Sequence, residues 1–207
     1  MSKMSPSTAG RLSAYTDAVF AVIITIMVLE LRPPASPHFV ALLALWPTVV
    51  SYIVSYAFVA IIWINHHYLM GYIADPSLRL IWLNFGHLFF VSLLPFSTAW
   101  LAQTELARVP VIVYAALFVA TDGMYNLFEN EILRNSPEFS KAEYRATRRR
   151  SLFALGLFAV AACLSILASW LGFGFICLAL ALHVRPDASG WRRRRERGER
   201  RSDPEGE

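Results

Sequence analysis

The sequence predicts an all-α membrane protein with six transmembrane helices per chain, and its composition is the first reason. Of its 207 residues, 56% are hydrophobic and only 16% are charged, whereas a soluble domain carries about 25% charged residues. The second reason is arrangement, because the apolar residues form long runs and the charged residues collect between and after them. A run of roughly 20 helical residues crosses a hydrocarbon core of about 30 Å.

The spans are predicted at residues 11–31, 39–65, 80–101, 109–128, 151–169 and 172–184. Pro33 and Pro34 end the first span, since proline interrupts helical hydrogen bonding. Gly172 and Gly174 are predicted to form the turn between the last two spans. Residues 1–10 are interpreted as a cytoplasmic amino-terminal segment, and residues 185–207 as a disordered, Arg-rich cytoplasmic tail.

The basic residues predict the orientation. With the amino terminus inside, all of the 19 Lys and Arg residues except Arg32 and Arg108 fall on the cytoplasmic side, in agreement with the positive-inside rule. Six spans then place both termini in the cytoplasm, and the chain is expected to be a multi-pass protein of the plasma membrane. In that position the Arg-rich tail is expected to bind anionic lipid, and not nucleic acid.

An acidic residue in the first span suggests function. Asp17 lies about two turns inside this apolar run, and an ionisable group in a membrane helix is costly and usually functional. We therefore hypothesise that the helix lines an ion pathway. Polar groups of three other spans are predicted at the same inner depth; they are Trp63, Asn65, His66, His67, Asn84, His87, Asp122, Tyr125 and Asn126. Several could donate hydrogen bonds to a carboxylate, although an interfacial polar belt would give the same pattern.

The outer half of the first span is apolar up to its last turn. Four of its residues share one helical face because they are spaced i, i+3, i+4 and i+7: Val22, Thr25, Ile26 and Leu29. On its own, such a stripe is more often a lipid-facing or packing surface than a pore lining. Glu30 follows directly, and it is either part of a charged ring at an outer mouth or a solvated helix end.

Three segments of the chain together resemble a known family. The first has the pattern R-x3-Y-T-D, formed by Arg11, Tyr15, Thr16 and Asp17. It resembles the R-x3-F-S-D signature of the endosomal and lysosomal potassium channel family, transmembrane protein 175, in its bacterial branch. Trp63 and His66 match a W-x2-H pattern late in the second helix, and Asn84 with the LLPFST segment at 93–98 matches the third. The resemblance covers most of the six-span unit and is strongest over residues 11–100.

The resemblance implies a homotetramer without a re-entrant filter loop, with the first helix of each chain lining a central pore. The pore and selectivity constriction would fall on Val22, on Thr25 or its neighbour Ile26, and on Leu29. The family's hydrogen-bond network behind the pore would correspond to Arg11, Asp17, His66 and Asn84, with Trp63 alongside. The departures from the family pattern are Tyr15 for Phe, Thr16 for Ser, and Val22 for a larger Ile or Leu.

The function expected on this basis is a leak-type, potassium-permeable cation channel with a hydrophobic gate. Apolar rings offer an ion few ligands, so K would pass more easily than Na and other strongly hydrated monovalent cations, with modest selectivity. No enzyme activity and no cofactor other than the permeant potassium ion are expected, because no metal-binding pattern or activated nucleophile is found. The alternatives are a proton-conducting or proton-coupled transporter using Asp17 and His66, and a scaffold without transport.

Overall fold

The computed structural model describes residues 8–73, 75–137 and 139–183, and every regular element within them is an α-helix. The helices are α1 Thr8–Leu29, α2 Phe39–Leu43, α3 Trp46–Met70, α4 Leu78–Ser92, α5 Leu94–Gln103, α6 Arg108–Asn135, α7 Lys141–Leu167 and α8 Ser169–His183. The Arg-rich tail predicted at 185–207 lies outside the described residues, as does most of the predicted amino-terminal segment.

Five stretches of the described chain are long and apolar enough to cross a membrane. They are Thr8–Leu29, Trp46–Met70, Leu78–Gln103, Arg108–Asn135 and Lys141–Leu167. The third combines α4 and α5. The last predicted span corresponds to α8, which has 15 residues and is therefore about 22 Å long at 1.5 Å per residue. The chain is thus an all-α, multi-pass membrane protein, and its described residues include five stretches of membrane-spanning length and one shorter apolar helix.

Proline residues mark two helix boundaries. Pro95 lies in the first turn of α5, and the helical ladder is interrupted just before it, at Leu93. Pro47 lies in the first turn of α3, so it begins that helix and does not kink it. Both positions agree with the tolerance of helices for proline in the first turn, where the missing N–H would have no partner in any case.

The boundary between α7 and α8 differs from the predicted one. The helix breaks at Ala168, which has an extended backbone with φ −153° and ψ 130°, whereas Gly172 and Gly174 both lie inside α8. A Cβ at Gly172 would come within 2.6 Å of the Ser165 Cα atom. The predicted turn at these glycines is therefore wrong, because Gly172 serves the close approach of α8 to α7 and not a change of chain direction.

The charged segment between the fourth and fifth spans is largely helical. Ser140 begins α7 with a capping box, in which its side chain accepts a hydrogen bond from the Glu143 N–H and Glu143 accepts one from the Ser140 N–H. Further along α7, Arg148 lies 3.5 Å from the buried carboxylate of Glu129 on α6. Ser151 donates a 2.8 Å hydrogen bond to the other Glu129 oxygen. These contacts join the carboxyl-terminal part of α6 to the amino-terminal part of α7.

Aromatic residues fill the centre of the helical bundle. Phe58 of α3 stacks on Phe118 of α6 with ring centroids 3.8 Å apart, and Phe158 of α7 meets Phe58 edge-on. All three are buried. Helix α1 packs against α3, α4 and α5 at the side of this bundle, so one of its faces is covered and the opposite face is open.

Candidate functional site

Helix α1 has a buried face and an exposed face along its whole length. The buried face repeats at intervals of four and three residues and contains Thr16, Phe20, Ile23 and Met27, each no more than 3% exposed. These residues face α3, α4 and α5. The four residues of the predicted stripe lie on the opposite face, since 100° per residue separates the two sets by about half a turn.

A hydrogen-bonded chain of side chains holds the inner half of α1. Asn84 of α4 donates from Nδ2 to Thr16 Oγ1 at 2.9 Å, and Thr16 in turn donates to the Leu12 carbonyl. The Asn84 Oδ1 atom lies 2.7 Å from His66 Nε2 of α3, and because a carbonyl oxygen only accepts, His66 donates here. All three side chains are buried. These hydrogen bonds therefore connect α1, α3 and α4 at a site that is buried from water.

Asp17 takes no part in this series of hydrogen bonds. Its Oδ1 atom accepts a hydrogen bond from Trp63 Nε1 of α3 at 2.9 Å, at a site that is only partly buried. Trp63 also stacks on His67, with ring centroids 5.3 Å apart. The hydrogen bonds of Asp17 and His66 thus run to different partners, and Asp17 provides a second tie between α1 and α3.

Arg11 lies apart from the other residues of the predicted network. Eleven residues separate it from Val22, which amounts to three helical turns, so both occupy the exposed face of α1. Within the described part of the chain, the Arg11 side chain forms no hydrogen bond or ion pair. The structure therefore brings together Asp17 with Trp63 and His66 with Asn84, and it leaves Arg11 on the open surface.

The predicted constriction residues all point away from the bundle. Val22 is 54% exposed, Ile26 42% and Leu29 79%, and Thr25 is exposed as well. The Thr25 hydroxyl donates to the Val22 carbonyl of its own helix at 2.7 Å. The result is an open apolar strip at the edge of a single chain, with one hydroxyl in it. Glu30, one residue beyond, is also exposed.

Other polar residues predicted at the same depth belong to different helices and have local partners. His87 of α4 is fully buried, with Nδ1 3.1 Å from the Thr121 carbonyl of α6. Asp122 is buried in α6 and accepts a 3.2 Å hydrogen bond from Asn126 one turn later. Arg148 reaches the Asn126 carbonyl. His87 therefore joins α4 to α6, the other three residues stabilise the contact of α6 with α7, and none of these hydrogen bonds reaches α1.

Sequence reasoning did not assign Thr16 or the Glu129–Arg148 pair to a site. Thr16 stands inside the R-x3-Y-T-D pattern, and its spacing of four from Phe20 places it on the buried face of α1, which is the signal that could have identified it. Glu129 and Arg148 stand in a charged segment that was interpreted as a connection between spans, and nothing in the sequence pairs them. Among the described residues, no three His, Cys, Asp or Glu side chains are grouped closely enough to hold a metal ion.

The arrangement fixes α1 from one side only. Side-chain hydrogen bonds set the rotation of its inner half, and the apolar contacts of Phe20, Ile23 and Met27 continue the packing outward. In a membrane, such an exposed apolar strip can face lipid, another protein surface or the interior of a pore.

Comparison with known proteins identifies similar chains over most of the length. The sequence profile of the family described as endosomal/lysosomal potassium channel TMEM175 matches residues 11–95. A potassium channel from a Chryseobacterium species is 32% identical over 181 residues, which cover 87% of this chain and 94% of the relative. A potassium channel from Chamaesiphon minutus is 33% identical over 192 residues, with 86% and 93% covered.

Solved structures agree with this similarity. The crystal structure of a lysosomal potassium-selective channel TMEM175 homologue from Chamaesiphon minutus superimposes with a TM-score of 0.75 at 31% identity, covering 86% of this chain and 98% of that one. A variant of the potassium channel MtTMEM175, in complex with a nanobody fusion, has a TM-score of 0.55 at 16% identity. That second likeness concerns the fold alone.

Proposed function

Because this chain belongs to the TMEM175 family of potassium channels, we propose that it is a potassium-permeable cation channel and that its pore is lined by α1. Its relatives are channels and not enzymes, and the chain is accordingly a channel. The observation that carries the proposal is the exposed strip of Val22, Thr25, Ile26 and Leu29 on a helix whose other face is buried.

A homotetramer would cover this exposed strip. Four copies of α1 around one axis would cover each other's open faces and stack rings of Val22, Thr25 or Ile26, and Leu29 along the axis. This arrangement would remove four apolar strips from the edge of the bundle, and heterologous contacts of this kind close into rings under cyclic symmetry. Glu30 would follow the last ring, but it lies 100° around the helix from Leu29 and therefore need not face the pore axis.

The rings would select among cations by the cost of losing water. An apolar ring supplies almost no ligand, so an ion passes partly dehydrated or when the ring widens. Potassium holds its hydration shell less tightly than sodium, so it would pass more easily, and without a fixed coordination cage the selectivity would be modest. A narrow apolar ring can also close the path by expelling water. The permeant potassium ion would be the only cofactor-like species.

The orientation follows from the basic residues. We place both termini in the cytoplasm and the chain in the plasma membrane, with α1 running outward, since this arrangement puts most Lys and Arg residues inside. Arg11 would then lie at the inner mouth of the pore, on the same face as the rings. The basic tail would lie next to the inner leaflet, where anionic lipid attracts it.

A proton relay through Asp17 and His66 is the alternative mechanism. Such a relay needs an unbroken series of hydrogen-bonding groups that lead across the membrane. The hydrogen bonds of His66 end at Asn84, Thr16 and the Leu12 carbonyl, and His66 stacks against the Phe128 ring at 4.7 Å. These contacts favour a structural role for the histidine.

The test is ion flux through purified protein in liposomes, with potassium, sodium and proton gradients applied in turn. We expect potassium flux that exceeds sodium flux by a modest factor and that does not need a proton gradient. No flux of either metal cation would contradict the channel, and flux that follows only the proton gradient would favour the relay.

A matched pair of variants tests the pore lining. Val22→Ala and Val28→Ala remove the same atoms from residues of similar exposure, 54% and 46%, but the two positions lie about 120° apart around the helix. We expect Val22→Ala to widen the ring and change potassium conductance or the K-to-Na ratio by severalfold, whereas Val28→Ala leaves both unchanged. Equal effects of the two substitutions would argue against the strip as the pore lining. Leu29→Ala is expected to resemble Val22→Ala.

A further inference from the structure

A cavity opens at the outer end of the chain, where α1 ends, α3 begins and α5 ends. Its volume is about 230 Å³, which gives room for several water-sized groups at about 30 Å³ each. Buried residues form its floor, namely Met27, Pro95 and Thr98. Two exposed residues of opposite charge, Glu30 and Arg32, stand at its rim.

The two charged residues do not neutralise each other. The ion pairs of the described residues include Arg79 with Glu131 and Arg148 with Glu129, and none of those found there involves Glu30 or Arg32. A ligand with a single charge would satisfy one of them and would be repelled by the other. A ligand that carries an ammonium group and an anionic group close together would satisfy both.

The wall of the cavity suits the same kind of ligand. Thr48 and Tyr52 of α3 are half-buried and line it; their hydroxyl groups can accept hydrogen bonds, and the Tyr52 ring attracts a cation. A primary ammonium has three N–H donors for Glu30 and these hydroxyls. Arg32 can bind a phosphate through two parallel hydrogen bonds.

The cavity lies where ligands with such a pair of charges are abundant, next to the membrane surface. The three helices around it belong to stretches of membrane-spanning length, so in the proposed orientation their ends lie near the outer edge of the hydrocarbon layer. Trp46 and the apolar residues of α2, such as Phe39 and Val40, are exposed on the same side, and tryptophan is enriched at the membrane interface. The cavity therefore lies at the level of the lipid headgroups.

We propose that this cavity binds a phosphoethanolamine group, with the ammonium at Glu30 and the phosphate at Arg32, as carried by phosphatidylethanolamine in the outer leaflet. The placement at the outer surface rests on the orientation given with the proposed function. Choline lipids fit less well, because their quaternary ammonium has no N–H to donate. Phosphatidylglycerol fits less well because it offers Glu30 no positive charge.

Native mass spectrometry of the full chain in detergent tests the proposal. Phosphatidylethanolamine, phosphatidylcholine and phosphatidylglycerol with identical acyl chains are added in turn. We expect the first to bind about tenfold more tightly than the others, and Glu30→Gln and Arg32→Gln each to remove that preference, since one charge-assisted hydrogen bond accounts for roughly a factor of ten. The matched control is Glu105→Gln, an exposed acidic residue between α5 and α6 that does not line the cavity; it should retain the preference.

Two further measurements decide what the result means. The double variant Glu30→Arg with Arg32→Glu keeps both charges and should recover part of the binding, which a merely structural role of either residue would not explain. Soluble phosphoethanolamine that competes with the lipid would show that the headgroup alone is recognised, whereas binding of the lipid without competition would assign the source to the membrane. Equal binding of all three lipids, or binding that both single variants leave unchanged, would overturn the proposal. None of these measurements uses ion flux, so a failed channel assay and a failed binding assay remain distinguishable.

Discussion

The inner and outer halves of α1 are held in different ways. In the inner half, Thr16 and Asp17 form side-chain hydrogen bonds with α4 and α3. In the outer half the one hydroxyl group is that of Thr25, and it bonds to a carbonyl of its own helix. The inner half is therefore fixed in rotation by directional bonds, whereas the outer half is fixed on one side by apolar packing alone.

This difference separates two tasks along one helix. A rotation of 100° moves each residue into the place of its neighbour, so the inner hydrogen bonds determine which residues the outer half exposes. Directional bonds do this better than apolar contacts, which tolerate sliding. Within the described chain, the outer half has no side-chain hydrogen bond to another helix, and one of its faces is open.

Removal of Asn84 should give the largest loss of stability. Asn84→Ala leaves His66 Nε2 and Thr16 Oγ1 without their partner and opens a gap between α1 and α4. We expect a cost of about 2–3 kcal/mol, since each buried polar atom left unpaired costs roughly 1–3 kcal/mol. The thermal midpoint of the detergent-solubilised protein should fall by about 5–10 °C. Ser92→Ala on the same helix is the control, because Ser92 is exposed and bonds to Phe89 of its own turn; an equal fall for both variants would contradict the special role of the inner half.

Much of this architecture could be predicted from the sequence. The family assignment made on three short segments is confirmed by the profile match and by relatives that share about a third of their residues. It could be made because the residues that carry it, an aspartate in one apolar helix with a histidine and an asparagine in two others, are costly and therefore rare in membrane helices. The all-helical membrane fold follows from run length and hydropathy in the same way.

Other features depend on contacts between helices and could not be derived from the amino-acid sequence alone. Gly172 reads as a turn by composition, but it is explained by the Ser165 backbone opposite it. Glu129 and Arg148 lie between two predicted spans, and they come within 3.5 Å of each other only because α6 and α7 lie side by side. Arg11 belongs to the family pattern that implies a network with Asp17, His66 and Asn84, but it lies on the open face of α1 and forms no hydrogen bond or ion pair within the described part of the chain. We predict that its partners are contributed by neighbouring chains.

Substitution of Asp17 tests the second connection of the inner half of α1, which is the hydrogen bond from Trp63. Asp17→Ala removes the acceptor of Trp63 Nε1, and we expect it to cost about 1–2 kcal/mol, because a hydrogen bond to a charged group is worth about 1.5–3 kcal/mol when buried and this site is partly exposed. The yield of the proposed tetramer should fall, as measured by size-exclusion chromatography with light scattering. Asp75→Ala removes an exposed loop aspartate and should leave assembly unchanged. Normal tetramers and currents from Asp17→Ala would refute its role in positioning α1.

The smallest expected effects on stability come from replacing two threonines of α1, one at a time, with valine. Thr16→Val and Thr25→Val each replace a hydroxyl with a methyl group and keep a β-branched side chain, so intrinsic helix propensity changes little. Thr16→Val leaves Asn84 Nδ2 without an acceptor in a buried site and should cost about 1 kcal/mol. Thr25→Val breaks only a bond within the helix, at an exposed position, and should leave the thermal midpoint within about 1 °C of the parent.

The same pair gives opposite results for ion flux if the two halves have separate tasks. The Thr25 hydroxyls would form the only polar ring among the apolar rings of the proposed pore, so Thr25→Val should lower potassium flux without loss of stability. Thr16→Val should lower stability, and the tetramers that survive should keep the parental ratio of potassium to sodium flux. A loss of stability from Thr25→Val equal to that from Thr16→Val would show that the outer half is held as firmly as the inner half. Unchanged flux in Thr25→Val would place its hydroxyl outside the route of the ions.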